Sequence, residues 1–270
     1  MIKAEQISKS FNGLQVLRDV SLEINKGDFV AVMGPSGSGK STLMYSISGM
    51  DCIDAGSVLF EGTDISQMSE EALSIFRLTR MGFVFQNAHM LKNLSIFDNI
   101  TLPGYVAKKE PADDIRQRSL KLLQRMEIEG IKEHDIREVS GGQLQRASIC
   151  RAMINNPDIL FMDEPTGALN SAATEQVLAI LDDLNRDGIT IVTITHNPLV
   201  AARARKVIYV LDGQIAAIKE FQDGAEREKE MGAWLESIQP RQSSEPGHHE
   251  EGKATGRNII DQHRKQTVFN

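Results

Sequence analysis

Eight consecutive residues limit this chain more than any others: Gly34-Pro35-Ser36-Gly37-Ser38-Gly39-Lys40-Ser41. They fit the spacing G-x-x-x-x-G-K-[ST] without a gap. Just before them, Phe29 to Met33 is a short apolar run, the pattern of a strand buried on both faces of a parallel sheet. A helical segment follows to about Gly49. Strand, glycine loop and helix in that order form a cradle for phosphate. Dense negative charge needs several converging backbone N–H groups, and side chains would block the approach. Gly37 and Gly39 let the backbone come close and take positive φ. The helix start adds unpaired N–H groups and the positive end of the dipole. Lys40 then reaches the β- and γ-phosphates, Ser41 offers a hydroxyl to Mg²⁺ and Thr42 offers one to the α-phosphate. A flexible Gly/Ser linker would need neither the Lys-Ser-Thr ending nor the buried strand.

A second apolar run, Ile159 to Met162, ends in Asp163-Glu164. Beside a phosphate loop, Asp163 can hold Mg²⁺ and Glu164 can orient or deprotonate an attacking water. A nucleotide polyphosphate with Mg²⁺ is therefore the expected ligand. Further strands are predicted at Val58–Phe60, Phe83–Phe85 and Ile189–Ile194, and helices near Ser69 and from Ser171 to Arg186. Alternating strands and helices with short loops argue for an α/β sheet. Val16, Val20, Leu22 and Ile24 place apolar groups on one face of an early strand. Asp212-Gly213 between apolar runs signals a hairpin. From Asn87 to Pro157 the pattern is mostly helical, so a helical lobe at about 87–157 is expected between sheet strands. Met231, Trp234, Leu235 and Ile238 have the spacing of a short amphipathic helix. After Pro240 the chain is polar and expected to be mobile. His248-His249 beside Glu250-Glu251 reads as a solvated tail rather than a metal site. Deletion after Gly224 is expected to cost little catalysis.

Composition removes several classes. Across 270 residues the formal net charge is −7, which argues against a dedicated nucleic-acid binder. Two cysteines, Cys52 and Cys150, give neither a disulfide framework nor a multi-Cys zinc pattern. No stretch approaches the roughly 18 apolar residues of a membrane span, and Met1 to Gln6 lack the apolar run of a signal peptide. The chain is expected in the cytoplasm.

The most discriminating segment is Ser140-Gly141-Gly142-Gln143. Ser140 and Gln143 are spaced as a capping box. That does not explain two glycines in a first helical turn, where Gly is a poor helix former; bare N–H groups there suggest a second phosphate-binding helix end. Taken together, over about residues 1–220, these motifs resemble the ATPase subunits of ABC transporters. Ser140 to Gln143 looks like the family signature, with Val139 where Leu is commoner. Gln86 matches the glutamine coupling the site to the transporter, His196 the switch histidine at the γ-phosphate, and Phe11 the aromatic residue that stacks on adenine. Gly167 and Asn170 depart from the usual Ser-Ala-Leu-Asp, which puts communication between sites in question. Gly82 to Gln86, Asn93-Leu94-Ser95, Asp98-Asn99-Ile100 and Glu164 to Gly167 resemble a narrower group that includes lipoprotein-release, macrolide-export and antimicrobial-peptide transport ATPases and a cell-division relative.

The resemblance implies a P-loop NTPase core with an inserted helical subdomain and an N-terminal antiparallel β subdomain. It implies an ATPase domain over 1–220 and a C-terminal extension over 221–270. It implies catalytic roles for Glu164, His196 and Lys40, and metal roles for Ser41, Gln86 and Asp163. Nucleotide contacts are implied for Phe11, Gly34 through Thr42, Gln86 and Ser140 through Gln143. One chain would not complete a site: the loop of one subunit and Ser140 to Gln143 of another would sandwich ATP. A membrane-spanning permease is the implied partner, with the subunit peripheral on the inner face of the membrane. Met90, Leu91, Leu94, Ile96 and Phe97 are candidates for its docking groove or, equally, for the core of the helical lobe. The alternative within the family is a mechanical or signalling complex, such as a cell-division regulator, that moves no substrate. A soluble switch for DNA repair or translation would need two phosphate loops or a long coiled coil, and this chain has one loop and no sustained heptads.

Overall fold

The computed structural model describes residues 1–222 and 227–238. In chain order its elements are β1 (Ile2–Phe11), β2 (Leu14–Ile24), β3 (Phe29–Met33), α1 (Lys40–Ile47), β4 (Ala55–Phe60), β5 (Thr63–Asp64), α2 (Glu70–Arg80) and β6 (Met81–Phe85). Then come α3 (Ile96–Ala107), α4 (Ala112–Arg125), α5 (Gly141–Met153), β7 (Ile159–Asp163), α6 (Ser171–Arg186), β8 (Thr190–Ile194), α7 (Pro198–Ala201), β9 (Lys206–Leu211), β10 (Gln214–Glu220) and α8 (Arg227–Ile238).

Two sheets result. The first is antiparallel, in the order β2-β1-β4-β5. The second runs β10-β9-β3-β8-β7-β6 and is parallel except for the β9–β10 hairpin at its edge. The chain is thus α/β, with the antiparallel N-terminal sheet and nucleotide-fold core that the sequence leads one to expect. Three helices, α3 to α5, lie between the neighbouring strands β6 and β7.

The central strands are apolar on both faces because both faces are covered. Along β3, Phe29, Ala31 and Met33 join one apolar cluster with α5, α6 and α8, while Val30 and Val32 join another with α1 and the antiparallel sheet. All five residues are buried. Fully burying the Phe, Val and Met side chains among them stabilises by about 1.5–3 kcal/mol each, an upper estimate for a real unfolded chain. The N-terminal strand pattern needs one correction. Val20, Leu22 and Ile24 point inward, but Leu17, not Val16, is the next buried residue. Asp19 takes φ 47 at a register shift between β1 and β2, and the extra residue moves the inward phase by one.

Of the two readings for the docking-groove candidates, lobe core holds for most of them. Ile96 is wholly buried and Met90 and Phe97 nearly so, all within the core shared with α4 and α5; Leu91 alone of the five is exposed. Ser95 caps α3, and Ile96 and Phe97 fall on the turn that faces the lobe interior. Met1 to Ile238 form one compact unit, in which Phe221, Met231 and Leu235 belong to the large apolar cluster. Phe221 and Trp234 meet edge to face, with ring centroids 6.0 Å apart. His248 to Glu251 lie outside the described residues.

Candidate active site

The loop from Gly34 to Gly39 is held open by its neighbours. Gly34 (φ 145), Gly37 (φ 78) and Gly39 (φ 98) all have positive φ. A Cβ on Gly34 would lie 2.1 Å from the Val210 carbonyl oxygen, and one on Gly39 would lie 3.1 Å from that of Val16. The β9–β10 turn closes against the same loop. Gly213 donates its N–H to the Ser38 carbonyl at 3.0 Å and accepts from the Arg18 N–H at 2.9 Å. The predicted hairpin at Asp212-Gly213 therefore also braces the phosphate loop. Helix α1 begins at Lys40 with Gly39 as its cap and no side chain over its first N–H groups, as anion binding requires.

Lys40 donates to the carbonyls of Gly34 (3.0 Å) and Pro35 (2.7 Å). Burial holds its ammonium below the usual lysine range, against the pull of Glu164 and Asp163. Ser41 follows on α1, and its hydroxyl donates to Asp163 Oδ2 at 3.3 Å. The Tyr45 hydroxyl, one turn further along, donates to the same oxygen at 3.4 Å. Burial raises the Asp163 carboxyl above its ordinary value, and these two hydroxyls oppose that rise. A serine hydroxyl and a carboxylate at one point are the hard oxygen donors that suit Mg²⁺. Tyr45 is a group that the sequence reading missed. Its spacing of four from Ser41 places both on one helix face, which is the signal that would have found it.

Glu164 follows Asp163 at the end of β7, in a left-handed conformation (φ 48) uncommon for a non-glycine residue. Its N–H donates to the Ile194 carbonyl at 3.0 Å, and its carbonyl accepts from the Gly167 N–H at 3.1 Å. These bonds fix a turn that swings the carboxylate out of the sheet. His196, two residues beyond β8, places Nδ1 at 2.8 Å from Glu164 Oε1. Because β7 and β8 are neighbours in register, Asp163 opposite Ile194, the pair follows from topology. A cavity of about 250 Å³ opens beside it, lined by Glu164, Thr166, Thr174, Thr195, His196 and Asn197 among others.

Gln86 leaves β6, whose Phe85 is opposite Asp163 on β7. A Cβ on Gly167 would lie 2.9 Å from Gln86 Nε2 and 3.4 Å from Glu164 Oε2. Serine at this position would therefore crowd the Gln86 amide. Asn170 caps α6, accepting from the Ala173 N–H at 2.9 Å, a task that Asp would perform as well. The replacement keeps the cap and gives up a charge.

Ser140 and Gln143 form the expected capping box in both directions, at 3.3 Å and 2.9 Å. The atoms nearest to Cβ positions on Gly141 and Gly142 belong to Leu169 and Ala173, not to the phosphate loop. The chain thus brings Lys40, Ser41, Asp163, Glu164, His196 and Gln86 to one end of the sheet and sets Ser140 to Gln143 apart from the loop. Phe11 stands at the end of β1, 43% exposed. Two more groups escaped the sequence reading. Gln145 Nε2 donates to the Phe85 carbonyl at 3.3 Å, and Arg151 donates to the carbonyls of Ala88 (2.6 Å) and His89 (2.8 Å). Both sit on α5 and hold the segment around Gln86. Bonds across 60 residues leave no local pattern to read.

Comparison with known proteins bears on family and fold. The ABC transporter family profile matches residues 17–167. The lipoprotein-releasing system ATP-binding protein LolD of Leptospira interrogans is 36% identical over 222 residues, covering 82% of this chain and 93% of that protein. The macrolide export ATP-binding/permease protein MacB of Sodalis glossinidius is 41% identical over 221 residues, covering 80% of this chain and 34% of that protein. The chain thus spans about a third of the length of that macrolide-export relative. The dimeric post-hydrolysis structure of the ATP-binding cassette MJ0796, bound to ADP and Pi, superposes with a TM-score of 0.77 at 33% identity, covering 83% of this chain and all of that one.

Proposed function

Because this chain belongs to the ABC transporter family, as one of its ATP-binding subunits, we propose that it binds and hydrolyses ATP between two copies of itself to drive a membrane-spanning permease. The observation that carries the reading is the Glu164–His196 pair beside Lys40, Ser41 and Asp163. Gly34 to Thr42 bind the phosphates, with Lys40 neutralising their charge. Ser41 and Asp163 hold Mg²⁺, with Gln86 approaching from the neighbouring strand. When bound, Mg²⁺ offsets the charge of the β- and γ-phosphates. Glu164 orients the water and takes its proton, His196 fixes the Glu164 carboxylate through Nδ1, and Phe11 stacks on the base. Ser140 to Gln143 of the partner copy close the site, since the signature turn stands away from its own phosphate loop.

The permease partner is consistent with the macrolide-export relative, which is named an ATP-binding/permease protein. Its cytoplasmic segment docks in the apolar cavity of about 280 Å³ lined by Met50, Leu78, Phe83, Phe85, Pro103 and Arg151. Among the described residues no helix is long and apolar enough to cross a membrane. Docked on that permease, the subunit works as a peripheral component on the inner membrane face. An antimicrobial peptide, a lipoprotein or another hydrophobic compound is the proposed cargo. The cell-division type of mechanical complex is the second reading within the family.

The test is Mg-ATPase activity and oligomeric state of Glu164→Gln. ATP should bind, hydrolysis should fall by about 10²-fold or more, and an ATP-dependent dimer should accumulate. A strictly monomeric profile at saturating Mg-ATP, with and without the permease, would overturn the shared site. Transport in vesicles reconstituted with the permease separates cargo export from a mechanical role.

A further inference from the structure

We propose that Lys9 is a positioning residue for the nucleotide base: it fixes the Phe11 ring against the loop that leaves the phosphate-binding helix. The proposal rests on the nucleotide reading above and adds to it a residue two positions from the ring. Lys9 is only 8% exposed, unusual for lysine. Its ammonium donates to Asp51 Oδ1 at 3.0 Å and to the Cys52 carbonyl at 2.6 Å. The same ammonium lies 4.9 Å from the centroid of the Phe11 ring.

The contacts form a joint rather than an isolated pair. Asp54 accepts from the Ser10 N–H at 2.6 Å and donates its own N–H to the Ser8 carbonyl at 2.9 Å. The N–H groups of Met50 and Asp51 both donate to the Tyr45 carbonyl, near the end of α1. The end of β1 that bears Phe11 is therefore fastened to the segment that terminates the phosphate helix. Lys9 belongs to the joint and also lies over the ring. Burying an ammonium is costly unless it is paired and hydrogen-bonded, and here both conditions are met by groups on the far side of the joint. With the ammonium over one side of the ring, Phe11 keeps 43% of its surface open to stack on a base. The distance from ring to phosphate loop is then set by Lys9, Asp51 and α1.

The experiment compares two ligands on the full chain: Mg-ATP, and inorganic tripolyphosphate, which has the phosphates but no base. Equilibrium binding is measured for wild type, Lys9→Met, Phe11→Ala and the double variant. Lys9→Met should weaken Mg-ATP by about tenfold, the order expected when one base–aromatic stack is loosened. Tripolyphosphate affinity should stay within about twofold, because a ligand without a base makes no stack to lose. The KM for ATP should rise more than kcat falls, and the double variant should be no weaker than Phe11→Ala alone. If Lys9→Met does not fold, Asp51→Asn removes the charge partner while keeping the space filled, and the same base-dependent loss is expected. Unchanged ATP affinity, or equal loss of ATP and tripolyphosphate, overturns the role of Lys9. Failure of the wild-type chain to bind either ligand overturns the nucleotide reading instead.

Discussion

At the scale of single residues, the site depends on groups whose backbone is held in place before any side chain acts. Glu164 takes a positive φ secured by Ile194 and Gly167, and only there does its carboxylate meet His196. His196→Ala should therefore lower kcat more than it weakens ATP binding, which steady-state and binding measurements on one preparation would compare. Lys40→Ala should abolish tight ATP binding by removing the charge that bridges the phosphates; unchanged affinity would defeat the loop assignment. A separate pH effect belongs to Asp135, where hydrogen bonds from the Arg137 side chain and backbone hold the carboxyl down at about 2 from an ordinary 3.8. A depressed carboxylate contributes stability above its unfolded pKa and loses it as pH falls through the folded one. Arg137→Ala should return Asp135 toward 3.8, visible in a carboxyl NMR titration, and the stability gap between variant and wild type should close as pH falls from 3.8 to 2. These residue roles were legible where spacing carries them, as in Gly34 to Ser41 and Asp163-Glu164. They were not where a partner arrives from a distant strand, as with Gln145 on Phe85.

At the scale of elements, α5 is the busiest piece of the molecule. It begins at the Ser140 capping box, and along its length Gln145 and Arg151 hold the carbonyls of Phe85, Ala88 and His89. Burial lowers the Arg151 pKa, and the guanidinium donates to the carbonyls of His89 and Ala88. Arg151→Met should keep the helix but free the Ala88-His89 segment, so hydrogen exchange there should speed up by about tenfold or more, the mark of a lost local anchor. Unaltered exchange would show that the segment is held by something else. The existence of α5 was readable from its cap. Its grip on the strand exit was not, because side-chain to carbonyl bonds leave no period. The slip from Val16 to Leu17 is of the same kind: a bulge at Asp19 changes phase without any residue type announcing it.

At the scale of the whole molecule, the packing of α8 makes the residues after Gly224 matter to stability, whereas the expectation for their deletion concerned catalysis alone. Met231 is fully buried, Leu235 nearly so, and both belong to the main apolar cluster. Ending the chain at Gly224 should lower the thermal midpoint, since losing two buried apolar side chains costs roughly 3–6 kcal/mol. Ending it at Ile238 should leave the midpoint and the ATPase rate near wild type. Equal melting of the two truncations would show that α8 contributes nothing to the fold.

One consequence follows from the two ends of α5. Its first turn is where a second copy of the chain would press, and its middle is bolted to the backbone beside Gln86. If two copies close as proposed, a tilt of this helix would also swing the strand exit at Phe85, which lines the cavity proposed for the permease, so the helix would work as a crankshaft.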